Sequence, residues 1–199
     1  MNMSIPDTVE VDPADADAAE QAAQLASSGG TESGGSGAEL ARALVVVVDD
    51  RVIHAAQPAA DAGDIGPLVA ELLTEAGFHV DATVEVAADE VDIRTALNTA
   101  VIGGVDLVVS IGGVGVGGRD VTPEATAELL DQPLPGISEA LRSSGLAAGA
   151  TDAGLSRGLA GVSGQTLVVN LASSRAAVRD GMATLAPMAA YIIREIGGV

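Results

Sequence analysis

Three observations predict an α/β fold, a three-layer αβα sandwich around a mostly parallel sheet. Short apolar runs alternate with helix-period segments from residue 42 onward. The run Leu44–Val48 is β-branched and uninterrupted, the pattern of a strand buried on both faces. Glycine-rich or acidic turns follow the strands, at the carboxyl ends where open α/β sheets bind ligands.

The elements follow in order. Leu44–Val48 is the first strand. Ile65–Glu75 places Leu68, Val69, Leu72 and Leu73 on one helical stripe, and Gly77 ends it. His79–Val86 reads as a second strand. Asp89–Ala100 reads as a helix with Val91, Ala96, Leu97 and Val101 inward. Asp106–Ile111 is a third strand that runs into glycines. Thr122-Pro123-Glu124 opens a helix, with Thr122 as N-cap and proline in the first turn. Gln165–Leu171 is a further apolar strand, and Ser173–Ile196 a long closing helix.

Composition excludes several function classes. The chain has 199 residues, 48% of them hydrophobic, which is enough for one domain with a substantial core. It has no cysteine, so disulfides, thiolate metal sites and cysteine nucleophiles are excluded. Phe78 and Tyr191 are its only aromatic residues, too few for a base-stacking platform. The net charge is −19, a surface that repels nucleic acid and anionic membranes. All nine basic residues are arginine, and this acidic, lysine-free composition resembles haloarchaeal cytoplasmic proteins. The start shows no signal-peptide pattern and no run is long enough to span a membrane, so a cytoplasmic protein is expected.

Residues 1–41 differ from the rest. They carry eight acidic residues and no basic one, and include the Gly/Ser-rich run from Ser27 to Gly37. That composition predicts a disordered acidic tail ahead of a domain over 42–199. The domain keeps 20 acidic against 9 basic residues, a charge of −11.

Four strand ends carry candidate chemistry. They are Asp49-Asp50-Arg51, Asp89-Glu90, the loop Gly112-Gly113-Val114-Gly115-Val116-Gly117-Gly118-Arg119-Asp120, and Ser173-Ser174-Arg175. Gly113, Gly115 and Gly118 match G-x-G-x-x-G. The loop, however, follows the third strand, and Arg119-Asp120-Val121 separate it from the next helix, which argues against a dinucleotide fingerprint. The general property remains: glycines admit close approach of a ligand, and exposed N–H groups favour anions. A carboxylate beside a phosphate needs a cation between them, so Asp120 reads as a magnesium ligand, with Asp50 and Asp89 able to join it. The alternative is three solvated carboxylates at strand ends. His54 and His79 lack metal-ligand spacing, and no Ser–His–Asp arrangement stands out.

The stretch Ile111–Ala125, read as G-G-V-G, a spacer and R-D-V-T-P-E-A, resembles the signature of the MoaB/MogA molybdenum cofactor biosynthesis family. Leu134–Arg142 and Leu155–Val162 resemble two further segments of that family, as do Asp64-Ile65-Gly66 and Asp89. The resemblance spans about residues 43–196 and implies the family's molybdopterin-binding fold, commonly a trimer or hexamer. It implies magnesium-dependent transfer of AMP from ATP to the terminal phosphate of molybdopterin, and contact with other molybdenum cofactor proteins. It places Asp89, Asp120 and Glu139 in catalysis and Asp50, Asp89 and Asp120 on the metal. Gly112, Gly113, Val114, Gly115, Gly117, Gly118, Ser173 and Arg175 would bind the phosphates and substrate. Arg119, Arg142 and Arg157 are further candidate cationic contacts. Such chemistry needs positioning and charge neutralisation, not a protein nucleophile. Three departures stand out: Val114 and Gly66 replace hydroxyl residues, and Leu171-Ala172 replaces a Pro-Gly turn. They leave open a non-catalytic pterin-binding or scaffold paralogue.

Overall fold

The computed structural model describes residues 40–49 and 65–197. Asp50, Arg51, His54, Asp64 and residues 1–39 of the acidic tail lie outside the described residues. Six strands form one sheet in the order β2-β1-β3-β6-β5-β4. They are β1 (Arg42–Val48), β2 (His79–Val86), β3 (Leu107–Ile111), β4 (Gln132–Pro133), β5 (Ala160–Ser163) and β6 (Thr166–Leu171). β2, β1, β3 and β6 run parallel. β5 pairs antiparallel with β6, and β4 antiparallel with β5. The helices are α1 (Ile65–Glu75), α2 (Glu90–Ile102), α3 (Thr122–Ala127), α4 (Pro135–Ala147) and α5 (Arg175–Gly197), with a 3-10 turn at Thr151–Leu155.

Strand alternation divides the apolar residues into two cores. Val45, Val47, Leu107, Val109, Ile111, Leu167 and Val169 face α1, α4 and α5, against Leu68, Val69, Leu73, Ile137, Val178, Met182 and Leu185. Val46, Val48, Val108 and Val168 face α2 and α3, against Ile93, Leu97, Ala100 and Ala125. The three-layer α/β class read from the sequence is the observed one. Two local expectations are corrected. Val91 is 60% exposed and Ile93 takes the inward position, because the α2 stripe runs through 93, 97 and 100. Thr122 is the first helical residue rather than the N-cap; its hydroxyl donates to Gly112 O at 2.9 Å instead of capping α3.

Candidate functional site

Strand order reverses between β1 and β3, so the crevice beyond their carboxyl ends is the topological switch point. The Gly112–Asp120 loop leaves β3 there. Gly112 and Gly113 have φ of 102° and 63°, the left-handed region, so the chain can turn sharply. A Cβ on Gly112 would lie 2.6 Å from Val48 O, and one on Gly113 2.5 Å from Thr122 Oγ1. Only glycine lets the loop lie this close to the end of β1 and the start of α3. Gly112 N–H donates to Leu171 O at 2.9 Å, which sets the β6 end, with Ser173 and Arg175, beside the loop.

The loop's carbonyls turn inward to protein donors. Gly112 O accepts from Thr122 Oγ1, and Gly113 O from Thr122 N at 3.1 Å. Val114 O accepts from Arg157 N at 2.8 Å, and Gly115 O from Arg157 Nε at 2.7 Å. Gly117 O accepts from Asp120 N at 3.1 Å, and Asp120 O from Arg157 Nη2. The amides behave differently. Among the described residues, the N–H groups of Gly113, Val114 and Gly115 donate to no protein acceptor. Successive uncommitted N–H groups on a glycine loop form an anion-binding concavity.

Asp120 closes the loop. Its Oδ2 accepts from Gly117 N at 2.7 Å, and a Cβ on Gly115 would lie 2.7 Å from that oxygen. Asp89 stands at the carboxyl end of β2 and caps α2, its Oδ1 accepting from Val91 N at 2.9 Å and Asp92 N at 3.3 Å. Glu139 lies on the exposed face of α4 and makes no side-chain hydrogen bond or ion pair among the described residues. Among the described residues no three acidic or histidine side chains cluster closely enough to hold a metal ion. Ser173 and Arg175 are exposed at the start of α5, where Ser174 Oγ accepts from Ala177 N at 3.1 Å as the cap.

The sequence departures acquire physical reasons. Val114 is 5% exposed and packs inside the protein, and its N–H donates to no protein acceptor among the described residues. Gly66 is buried in α1, where a Cβ would lie 2.7 Å from Thr83 Cγ2 of β2. Packing against the sheet therefore accounts for the absent hydroxyl residue there.

Two residues that organise the site were not read from the sequence in this role. Arg157, a candidate substrate cation, is instead tied to loop carbonyls and to Glu124. The hydrogen bond from Arg157 holds the Glu124 carboxyl below the ordinary carboxylate range, and raises Arg157 in turn. Arg142 likewise donates to Ser156 O and Gly158 O, at 3.3 and 3.4 Å. The second residue, Asn170, stands in the middle of an apolar strand and bonds Ser110, Thr126 and Leu159. The signal for Asn170 was present: a lone amide in the run Thr166–Leu171 requires buried partners.

A three-layer domain with an amide-lined glycine loop at the sheet's switch point is the architecture of an α/β protein that binds an anionic ligand. Residues 44–190 match a family described as a probable molybdopterin binding domain. The chain belongs to that family. A crystal structure of a molybdopterin biosynthesis protein from Mycobacterium abscessus superposes with a TM-score of 0.74 at 62% identity, covering 80% of this chain and 98% of the other. A molybdenum cofactor biosynthesis bifunctional protein of Synechococcus elongatus is 36% identical over 156 residues, 78% of this chain. The chain spans about half of that relative, 47% of its length. A molybdopterin adenylyltransferase of Helicobacter pylori strain J99 is 34% identical over 129 residues, 64% of this chain and 70% of the enzyme. Among the described residues no helix is long and apolar enough to cross a membrane.

Proposed function

We propose that this domain of molybdenum cofactor biosynthesis is a molybdopterin adenylyltransferase. An oxygen of the pterin's terminal phosphate attacks the α-phosphorus of ATP, the bond to the β-phosphate oxygen breaks, and pyrophosphate leaves. The observation that carries this reading is the loop whose carbonyls are bound inward while the amides of Gly113, Val114 and Gly115 are uncommitted. Those amides, with Gly118, Ser173 and Arg175 around them, would hold phosphate oxygens and orient the two substrates, while Gly117, expected to join them, has its N–H on Asp120 Oδ2. The chain need supply no nucleophile, because one substrate phosphate attacks the other.

Magnesium fits the donor chemistry. The carboxylates of Asp120 and Asp89 are hard oxygen donors beyond β3 and β2, Asp50 follows β1 in the sequence, and magnesium on nucleotides commonly takes one or two carboxylates plus phosphates. When bound, the ion would neutralise charge on the phosphoryl group in transfer. Glu139 belongs to the same proposal by family resemblance alone. So do assembly into a trimer or hexamer and contact with other molybdenum cofactor proteins. The excess of 20 acidic over 9 basic residues in 42–199 supports adaptation to high salt.

Incubating the full chain with molybdopterin, ATP and magnesium tests the reading. Adenylylated pterin and pyrophosphate are the expected products. Pterin binding without product would instead establish the non-catalytic paralogue, which the replaced hydroxyl at Val114 favours.

A further inference from the structure

We propose that Arg157 is a positioning residue of the glycine loop, holding the Val114 and Gly115 carbonyls inward so that the Gly115 and Val116 amides face the ligand. The inference rests on the phosphate-binding reading above and assigns Arg157 no contact with substrate.

One residue gathers both legs of the loop. On the outgoing leg, Arg157 N donates to Val114 O at 2.8 Å and Nε to Gly115 O at 2.7 Å. On the returning leg, Nη2 donates to Asp120 O. The remaining fork meets the Glu124 carboxylate on α3, Nη1 to Oε1 and Nη2 to Oε2, the latter at 3.4 Å. A guanidinium suits this task because its donors lie in one rigid plane.

The platform beneath Arg157 is itself fixed. Arg142 on α4 donates to Ser156 O and Gly158 O on either side of it. Gly158 N meets Ser156 Oγ at 3.3 Å, and Leu159 N meets Asn170 Oδ1 on β6 at 2.9 Å. A Cβ on Gly158 would lie 3.1 Å from Asn170 O, so the chain passes tightly over β6.

Exposure separates position from stability. The Arg157 and Glu124 side chains are 38% and 46% exposed. An ion pair in that setting contributes little to folding. What these inward hydrogen bonds fix is local: Arg157 N holds the peptide unit that carries the Gly115 N–H, Nε the one that carries the Val116 N–H and Nη2 the one that carries the Val121 N–H, while Thr122 holds those of Gly113 and Val114. Without them, peptide units can turn over, and the amide concavity is populated for a smaller fraction of the time. Ligand affinity falls by that fraction.

The test uses the full chain, with hydrogen exchange across residues 113–121 and binding of inorganic pyrophosphate as readouts. Arg157→Gln is expected to speed exchange in the loop at least about tenfold and weaken pyrophosphate binding by a similar factor. Exchange in β1, β3 and β6 should stay as in the parent chain. Arg157→Lys keeps the charge but not the planar fork, so it is expected to behave like Arg157→Gln. Binding restored by lysine, with loop exchange unchanged in both variants, would make Arg157 a direct cationic contact and overturn the proposal. Faster exchange throughout the domain would also overturn it, making the role one of general stability. Should Arg157→Gln fail to fold, the proposal is overturned in the same way unless Glu124→Gln, which loosens the fork from the α3 side, accelerates loop exchange alone. Pyrophosphate that fails to bind even the parent chain would count against the phosphate reading, while loop-confined exchange would still decide the positioning role.

Discussion

Replacing Asn170 with leucine tests the buried network that supports the loop from inside the sheet. Asn170 is 3% exposed, and its neighbours Ser110 and Thr126 are fully buried. Its Nδ2 donates to Ser110 Oγ at 2.8 Å and Thr126 Oγ1 at 3.0 Å, and its Oδ1 accepts from Leu159 N at 2.9 Å. Thr126 Oγ1 donates onward to Thr122 O at 2.8 Å, and Thr122 Oγ1 to Gly112 O at 2.9 Å. Leucine leaves the Ser110 hydroxyl and the Leu159 amide without this partner. Each orphaned group costs about 1–3 kcal/mol, so a loss near 3 kcal/mol is expected. At about 2–4 °C per kcal/mol for a chain of this size, the Tm falls by roughly 6–12 °C. Thermal unfolding followed by circular dichroism reads the change. Adding Ser110→Ala to Asn170→Leu should recover part of it, because the orphaned hydroxyl is then gone. A loss under about 1 kcal/mol, or no recovery in the double variant, would refute the reasoning.

Three further outcomes are expected. Asp120→Asn keeps an oxygen able to accept from Gly117 N while removing the charge, so turnover should fall on the order of 100-fold with the Tm little changed; unchanged turnover would remove Asp120 from the reaction. The depressed pKa of Glu124 makes its contribution complete above the ordinary carboxylate range and lost as pH falls through the lower folded value. The difference in loop exchange between the parent chain and Glu124→Gln should therefore vanish in acid, and a difference growing with acidity would contradict that sign. With a charge of −11 over residues 42–199, lowering salt from molar to millimolar should lower the Tm through unscreened repulsion; full stability in dilute buffer would count against salt adaptation.

Most of the scaffold was legible because period and burial agree. Leu44–Val48 reads as a doubly buried strand, and the structure alternates Val45 and Val47 against Val46 and Val48 between two cores. Helix α1 and strand β2 have the bounds that their patterns predict. The hairpin partner β5 was missed because Ala160–Ser163 is four residues long and contains glycine, and β4 is only two residues. The glycine loop was visible as a candidate ligand loop, from five glycines within seven positions beyond a strand end. Its orientation was not visible. That depends on Arg157 and Asn170, which lie 42 and 44 residues from their partners Gly115 and Thr126. No local pattern encodes contacts at that range. Val114 illustrates the same limit: sequence shows a missing hydroxyl, whereas burial shows a packing residue.

The central claim is that the amides of Gly113, Val114 and Gly115 receive a substrate phosphate. Backbone amide NMR of the full chain during titration with molybdopterin, then with ATP and magnesium, tests it most directly. The account predicts that these three resonances shift most and saturate together, with Gly117 shifting less because its N–H already bonds Asp120. Saturable binding that leaves all three resonances in place would contradict it.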